Sequence, residues 1–256
     1  MAALTRSHLA DELRRLGVRE GGVLMVHTRM SALGWVEEGE DGVVGALLDA
    51  LGDDGTLMAY ASWEEHEYAV VADPPRFDPA TARAARDHGR VPERVRTWPG
   101  ARRSVHPEAS VVAVGALAEW LTREHPPGDG YGAGSPFGRL CDAGGQVLML
   151  GAPLSTITLL HHAEAIARVP RKRTATFNVL MPDEGERTYT DIDTFRGAVD
   201  YARLGLGDDE FAVIGREALE AGIGIRGTVG AAGCALYPAR ELVAFGARWI
   251  EERFGG

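Results

Sequence analysis

Residues 22–61 read GVLMVH, TRMSALGWVEEG, EDGVVGALLDAL, GDDG and TLMAYA, and this stretch decides the fold. Gly22 to His27 is a short apolar run of the kind buried on both faces of a parallel sheet. Glu40 to Leu51 repeats Val43, Val44, Leu47, Leu48 and Leu51 at helical spacing, and Gly52 to Gly55 turns the chain into a second strand, Thr56 to Ala61. Strand, helix and strand in that order predict a right-handed βαβ unit. The polar, small-residue segment Thr28 to Gly34 follows the first strand's carboxyl end, where open α/β sheets place ligands.

Working outward, Thr5 or Ser7 caps a first helix that runs through Leu16 and stops at Gly17. Beyond Ala61, Ser62-Trp63-Glu64-Glu65-His66-Glu67-Tyr68 sets three carboxylates beside two aromatics, a composition suited either to an ammonium-rich ligand or to a solvated loop. Residues 73–100 are rich in Pro, Arg and Asp and predict a long excursion with a short helix near Thr81 to His88. Arg102-Arg103-Ser104 is a basic pair beside a hydroxyl, either a phosphate site or surface arginines, and it leads into a strand, Ser110 to Val114, and a helix, Leu117 to Glu124. The glycine-rich run Gly128 to Gly138 lacks the order of a dinucleotide or P-loop fingerprint.

A second strand-to-helix junction lies at residues 147–164. Val147 to Leu150 predicts a buried strand, and Gly151 and Pro153 end it. Ser155, Thr156 and Thr158 are candidate N-caps of a helix running to about Arg168. Glu164 stands on the same helix face as His161 and is one candidate to orient its ring; His162 points away. The local chemistry is an anion site at a helix start beside a candidate general base, although a helical histidine is more often a packed residue.

Towards the C-terminus, Lys172 to Met181 and Arg187 to Thr190 predict an antiparallel hairpin, with Asp191 and Asp193 on one face if the chain is extended there. A helix at Phe211 to Ala221, a strand within Gly227 to Tyr237 and a final amphipathic helix from Pro238 to Phe254 complete a single domain over residues 1–256. The chain's net charge of −10 argues against nucleic acid or an anionic membrane and is compatible with a polycationic small molecule. Cys141 and Cys234 have no CxxC spacing, so neither a disulfide framework nor a zinc site is expected. The charged N-terminal segment and the absence of an apolar run of spanning length predict a cytoplasmic protein.

Several spaced motifs, in one order, resemble the aminoglycoside 3-N-acetyltransferase family. They are His27 with Ser31-x-Leu33-Gly34, Arg103-Ser104-x-His106-Pro107, Ser135-Pro136-x-Gly138, and Met149 to Leu154 followed by Thr158, His161, Ala163 and Glu164. Val169-Pro170-x-Lys172-Arg173 and Val229-Gly230 extend the match from about residue 8 to the C-terminus. The resemblance implies a three-layer α/β/α sandwich with a mainly parallel central sheet plus an antiparallel hairpin. It implies acetyl-CoA-dependent acetylation of the 3-amino group of 2-deoxystreptamine aminoglycosides, giving antibiotic resistance, with no metal.

Carried over by position, His161 is the catalytic histidine, with Glu164 or an acidic residue from another segment holding its ring. Asp191, Asp193 and Glu67 are the acidic residues of the aminoglycoside site, beside Trp63; because that loop varies in length, Glu64 or Glu65 is an alternative to Glu67. The segment Thr28, Met30, Ser31 and Leu33, the segment Arg103, Ser104, His106 and Ser110, and the pair Ser155 and Thr156 resemble the coenzyme A surface. The mechanism expected is direct transfer in a ternary complex, because a protonated amine cannot attack a thioester and imidazole is suited to take its proton. Cys141 is the rival nucleophile and has no motif around it. A donor near Thr158 is a candidate for the oxyanion, but nothing in the sequence singles one out. A monomer or homodimer acting on small molecules is expected; an acetyltransferase for another amine, or a protein that sequesters aminoglycosides, are the alternative readings.

Overall fold

The computed structural model describes residues 3–63, 69–206 and 209–255. Helix α1 (Arg6–Leu16) is capped by the Thr5 hydroxyl, which accepts from the N–H of His8, and ends on left-handed Gly17. Strand β1 (Val23–Thr28), a single turn α2 (Met30–Leu33), α3 (Glu40–Leu51) and β2 (Thr56–Tyr60) form the expected parallel βαβ unit. The following excursion differs from expectation. Thr81 to His88 holds only a 3₁₀ turn (Arg86–His88), and the helix, α4 (Arg90–Arg96), comes later. Pro92 sits in its first turn, where no N–H is needed, and Val91 and Val95 face the core within an otherwise charged run that conceals their spacing.

The rest follows as β3 (Arg102–Arg103), β4 (Val111–Gly115), α5 (Ala118–Thr122), α6 (Pro136–Asp142), β5 (Gln146–Leu150) and α7 (Leu159–Ile166). Then come β6 (Thr174–Met181), β7 (Gly185–Ile192), α8 (Glu210–Glu220), β8 (Ile225–Val229), β9 (Ala232–Pro238) and α9 (Ala239–Phe254). The main sheet has the order β3-β4-β2-β1-β5-β9-β8. Its centre, β2-β1-β5, is parallel as expected, and the flanking strands β4, β3, β9 and β8 pair antiparallel. The hairpin β6-β7 is a separate sheet whose three-residue loop, Pro182 to Glu184, leads into Gly185 at φ 75°.

Alternation along each strand separates two cores. Leu24, Val26, Leu57, Ala59, Leu148 and Leu150 pack under α1, α3 and α4. Val23, Met25, Met58, Tyr60, Val147 and Met149 pack under α5, α6, α7, α8 and α9. A smaller cluster of Trp63, Phe77, Phe177, Val179, Met181 and Tyr189 docks the hairpin beside the second strand's exit. Among the described residues no helix is long and apolar enough to cross a membrane, and no group of three or more His, Cys, Asp or Glu is arranged to hold a metal ion.

Candidate active site

The carboxyl ends of β1, β2 and β5 open into a cleft of about 820 Å³. The ends of β1 and β5 are joined there: Arg29 donates its N–H to the Leu150 carbonyl at 3.0 Å, and Thr28 bridges Gly151. Gly151 holds φ 70°, and a Cβ on it would lie 2.7 Å from that of Ala32, so this close approach needs glycine. Thr28, Met30 and Ser31, at and after the end of β1, and Ser155, Thr156, Thr158 and His161, which follow β5, line the walls of the cleft.

Helix α7 begins one residue after Thr158, whose side chain caps nothing, and it ends at Ile166 rather than Arg168. The 3₁₀ turn Leu154–Thr156 takes up the segment that its hydroxyls were expected to start as helix. His161 is therefore in the first turn, with its ring between Tyr131 and Phe211, whose ring centroids lie 5.1 and 4.8 Å away. Its Nδ1 is 2.6 Å from Glu164 Oε2, and the side chain keeps 18% exposure, enough for a ligand to reach the other nitrogen. Glu164 is buried, and its Oε1 accepts from the Tyr201 hydroxyl at 2.8 Å and from the Ala198 N–H at 3.3 Å. Burial works against a charge on His161, but the Glu164 hydrogen bond and the carboxylates of Glu164, Glu108 and Glu210 outweigh it, so its pKa rises above the ordinary imidazole value. His162, by contrast, is buried and spends Nδ1 on the Tyr131 carbonyl at 2.6 Å.

An unexpected carboxylate lines the inner wall. Glu108, 3% exposed, receives on Oε1 the hydroxyls of Tyr131 at 2.7 Å, Thr194 at 2.9 Å and Tyr60 at 3.3 Å. No sequence signal marked it, because the partners of its side chain, Tyr60, Tyr131 and Thr194, come from distant segments. Asp191 lies near it in charge terms: burial, chiefly, and the Glu108 and Asp129 carboxylates push its pKa up to about 7, against the N–H groups of Ile192 and Gly130 that it accepts. Asp193 does not stay beside Asp191. It is buried past the strand end and turns back on Arg196, with Oδ1 accepting its N–H at 2.8 Å and Oδ2 2.6 Å from its Nε.

Other expected site residues are placed elsewhere. Leu33 is fully buried in the core. Trp63 is buried against Phe77 at 5.3 Å, away from the cleft lining. Glu64, Glu65 and Glu67 lie outside the described residues. The Arg103 segment is internal scaffold rather than a surface for coenzyme. Arg103 donates to the carbonyls of Ala82 and Ala61 and to Ser110 Oγ, and its guanidinium lies 5.4 Å from the Phe77 ring. Ser104 accepts from the Val111 N–H and pairs with His125; His106 accepts from the Ala109 N–H; Ser110 donates to Ala61. All three are fully buried. The basic pair drew attention through its charge, and burial of that charge is a tertiary fact. Cys141 is also buried, and burial with the neighbouring Asp142 pushes its thiol up to about 12, which removes the thiolate a nucleophile needs.

Fold and site together are those of an α/β enzyme in which a buried carboxylate holds an imidazole at the wall of a strand-end cleft. Residues 25–251 match the sequence model described as aminoglycoside 3-N-acetyltransferase. Aminoglycoside N(3)-acetyltransferase VII of Streptomyces paromomycinus is 45% identical over 98% of this chain and 93% of its own, and aminoglycoside N(3)-acetyltransferase III of Pseudomonas aeruginosa is 42% identical over 98% and 95%. Among solved structures, AAC-IIIb in a binary complex with CoASH superposes with TM-score 0.92 at 43% identity, covering 99% of this chain and 98% of that one. AAC-VIa bound to sisomicin gives TM-score 0.91 at 35% identity, with both chains fully covered. The chain belongs to the aminoglycoside 3-N-acetyltransferase family and is an acyltransferase.

Proposed function

We propose that this enzyme transfers the acetyl group of acetyl-CoA to the 3-amino group of a 2-deoxystreptamine aminoglycoside, in a ternary complex, with His161 as general base. The observation that carries the reading is the Glu164–His161 pair on the cleft wall. With Nδ1–H directed at Glu164 Oε2, Nε2 holds the lone pair that takes a proton from the attacking amine, and the same atom returns it to the departing thiolate. Glu164, held by Tyr201 and Ala198, orients the ring.

Thr28, Met30, Ser31, Ser155 and Thr156 supply the coenzyme surface; their place on the cleft walls and the CoASH complex of AAC-IIIb support this. Arg29 and Arg90 at the rim suit the coenzyme's phosphates. Glu108 on the cleft wall and Asp191, whose charge is coupled to it, with the acidic Glu64 to Glu67 loop, receive the ammonium groups of the acceptor, a reading supported by the sisomicin complex of AAC-VIa. The enzyme acts in the cytoplasm as a monomer or homodimer, and the activity confers aminoglycoside resistance.

The test follows free thiol release from acetyl-CoA with a panel of 2-deoxystreptamine aminoglycosides and simple amines. Release with the aminoglycosides, and a fall in kcat of about 10²- to 10⁴-fold in His161→Ala, is expected. Release with simple amines alone would shift the acceptor, no release at all would leave binding without chemistry, and an unchanged kcat in His161→Ala would remove the general base.

A further inference from the structure

The proposed reaction needs a hydrogen-bond donor at the thioester carbonyl, because negative charge gathers on its oxygen as the amine attacks. Thr158, the hydroxyl-bearing residue nearest in sequence to the base, turns both its donors elsewhere. Its N–H donates to the Thr156 carbonyl at 2.8 Å, and its hydroxyl leans on the same oxygen at 3.5 Å.

His27 is placed differently. It lies near the carboxyl end of β1, lines the cleft, and pairs in register with Met149 of β5, the strand that leads to α7. Alternation puts it on the same sheet face as Val23, Met25 and Tyr60, the face that packs against α7 and its His161. Its neighbours on the chain are the coenzyme wall itself, Thr28 to Ser31. Its Nε2 is sealed from solvent and has no hydrogen-bond partner, and the hydroxyl of the next residue, Thr28, is in the same condition. Buried polar atoms without partners are uncommon, and a sealed N–H is rarer than a sealed lone pair. The ring proton therefore belongs on Nδ1, which leaves that nitrogen as the donor able to meet a ligand in the cleft. Burial, together with the nearby His88, drives the ring's pKa down to about 3, so it stays neutral. A neutral imidazole in an active site serves as a hydrogen-bond donor to a carbonyl rather than as a base.

We propose that His27 is a second catalytic histidine, whose Nδ1–H binds the carbonyl oxygen of the acetyl thioester and carries its charge through the reaction. The inference rests on the acetyl-transfer reading above. As the amine nitrogen bonds to the carbonyl carbon, the carbonyl π pair moves onto the oxygen held by His27, and the amine proton passes to Nε2 of His161. The pair then returns, the carbon–sulfur bond breaks with its electrons on sulfur, and the proton on His161 goes to the thiolate. Amide and free thiol are the products, and His27 ends as it began. The two histidines thus divide the work: the one beside Glu164 moves the proton, and the one without a carboxylate polarises the bond.

The experiment measures the infrared carbonyl stretch of acetyl-CoA carrying ¹³C at the carbonyl, bound without acceptor, beside kcat for the wild type, His27→Ala, His27→Gln and His161→Ala. In the wild type and in His161→Ala the band is expected at lower frequency than in free acetyl-CoA. His27→Ala should return it towards the free value and lower kcat about 10²- to 10³-fold, and His27→Gln, which keeps a donor, should recover part of both. A bound band at the free position in the wild type overturns the proposal, and this outcome does not depend on any variant folding. So does an unshifted difference between the wild type and a folded His27→Ala. Full activity in His161→Ala with the band still lowered would overturn the general-base reading and leave His27 in place.

Discussion

Glu164 Oε2 lies 2.6 Å from His161 Nδ1, one turn along α7, while Tyr201 fastens the other carboxylate oxygen. This pair holds the imidazole in one tautomer and raises its pKa against the opposing effect of burial. If the unprotonated ring takes the amine's proton, the acid limb of kcat/KM falls above the ordinary imidazole pKa of about 6.5. Glu164→Gln removes the charge that favours the imidazolium. The limb should then move to lower pH, and kcat should fall about tenfold or more through loss of ring orientation. A pH–rate profile identical to the wild type's would show that Glu164 does not govern the base. The same linkage gives the folded protein stability that is fully present below the unfolded imidazole pKa and lost as pH rises through the raised one.

Glu108 gathers three hydroxyls on Oε1 at the inner wall of the cleft. Glu108→Gln keeps an acceptor for Tyr60, Tyr131 and Thr194 but removes the charge. KM for aminoglycosides should rise roughly 10- to 100-fold, the equivalent of about 1.5 to 3 kcal/mol for a charged hydrogen bond, while the Kd for acetyl-CoA stays within about twofold. Titration calorimetry with each substrate alone separates the two effects; equal loss for both would make Glu108 a structural residue only.

Arg103 is spent on the Ala61 and Ala82 carbonyls and on Ser110. Arg103→Met should strand those acceptors and lower unfolding stability by about 2 to 4 kcal/mol in urea denaturation, with acetyl-CoA affinity retained in the folded fraction. A large loss of coenzyme affinity at unchanged stability would restore the phosphate role that its charge suggests.

His125 is buried between Ser104 Oγ at 2.9 Å and the Gly130 carbonyl at 2.8 Å. Burial, aided by Arg139 and opposed by the Gly130 bond, lowers its pKa to about 4. The unfolded chain takes up this proton first, near pH 6.5, so stability is full above that pH and declines as pH falls towards 4, by about 3 kcal/mol in all. Thermal melts at pH 7 and pH 5 should show the decline, and His125→Gln, less stable at pH 7, should show a shallower one.

Much of the layout was legible from pattern alone. The short apolar runs at 23–28, 56–60 and 146–150, the helical spacing of Glu40 to Leu51 and of Ala239 to Phe254, and the turn ending at Gly185 are local signals, since an unbroken apolar run reports a strand covered on both faces and helical spacing reports which face of a helix is covered. The i,i+3 spacing of His161 and Glu164 is local too, and a helix brings the two together whatever lies around them. The direction of the outer strands was not legible, because it depends on where the chain re-enters the sheet. Nor was the sorting of polar residues. Arg103, Ser104, His106, Ser110 and Asp193 look like surface chemistry in one dimension, yet each is consumed by partners that the fold supplies. Glu108 carried no signal of its own, and His27 stood in a motif with Ser31 and Gly34 that gave it no role; both became candidates for chemistry only when distant segments converged on one cleft. Periodicity and short-range spacing are properties of the chain, so the sequence by itself determined the elements and the His161–Glu164 pair. Burial and the satisfaction of hydrogen bonds are properties of packing, so the tertiary structure alone decided which charged and polar groups are left for substrate.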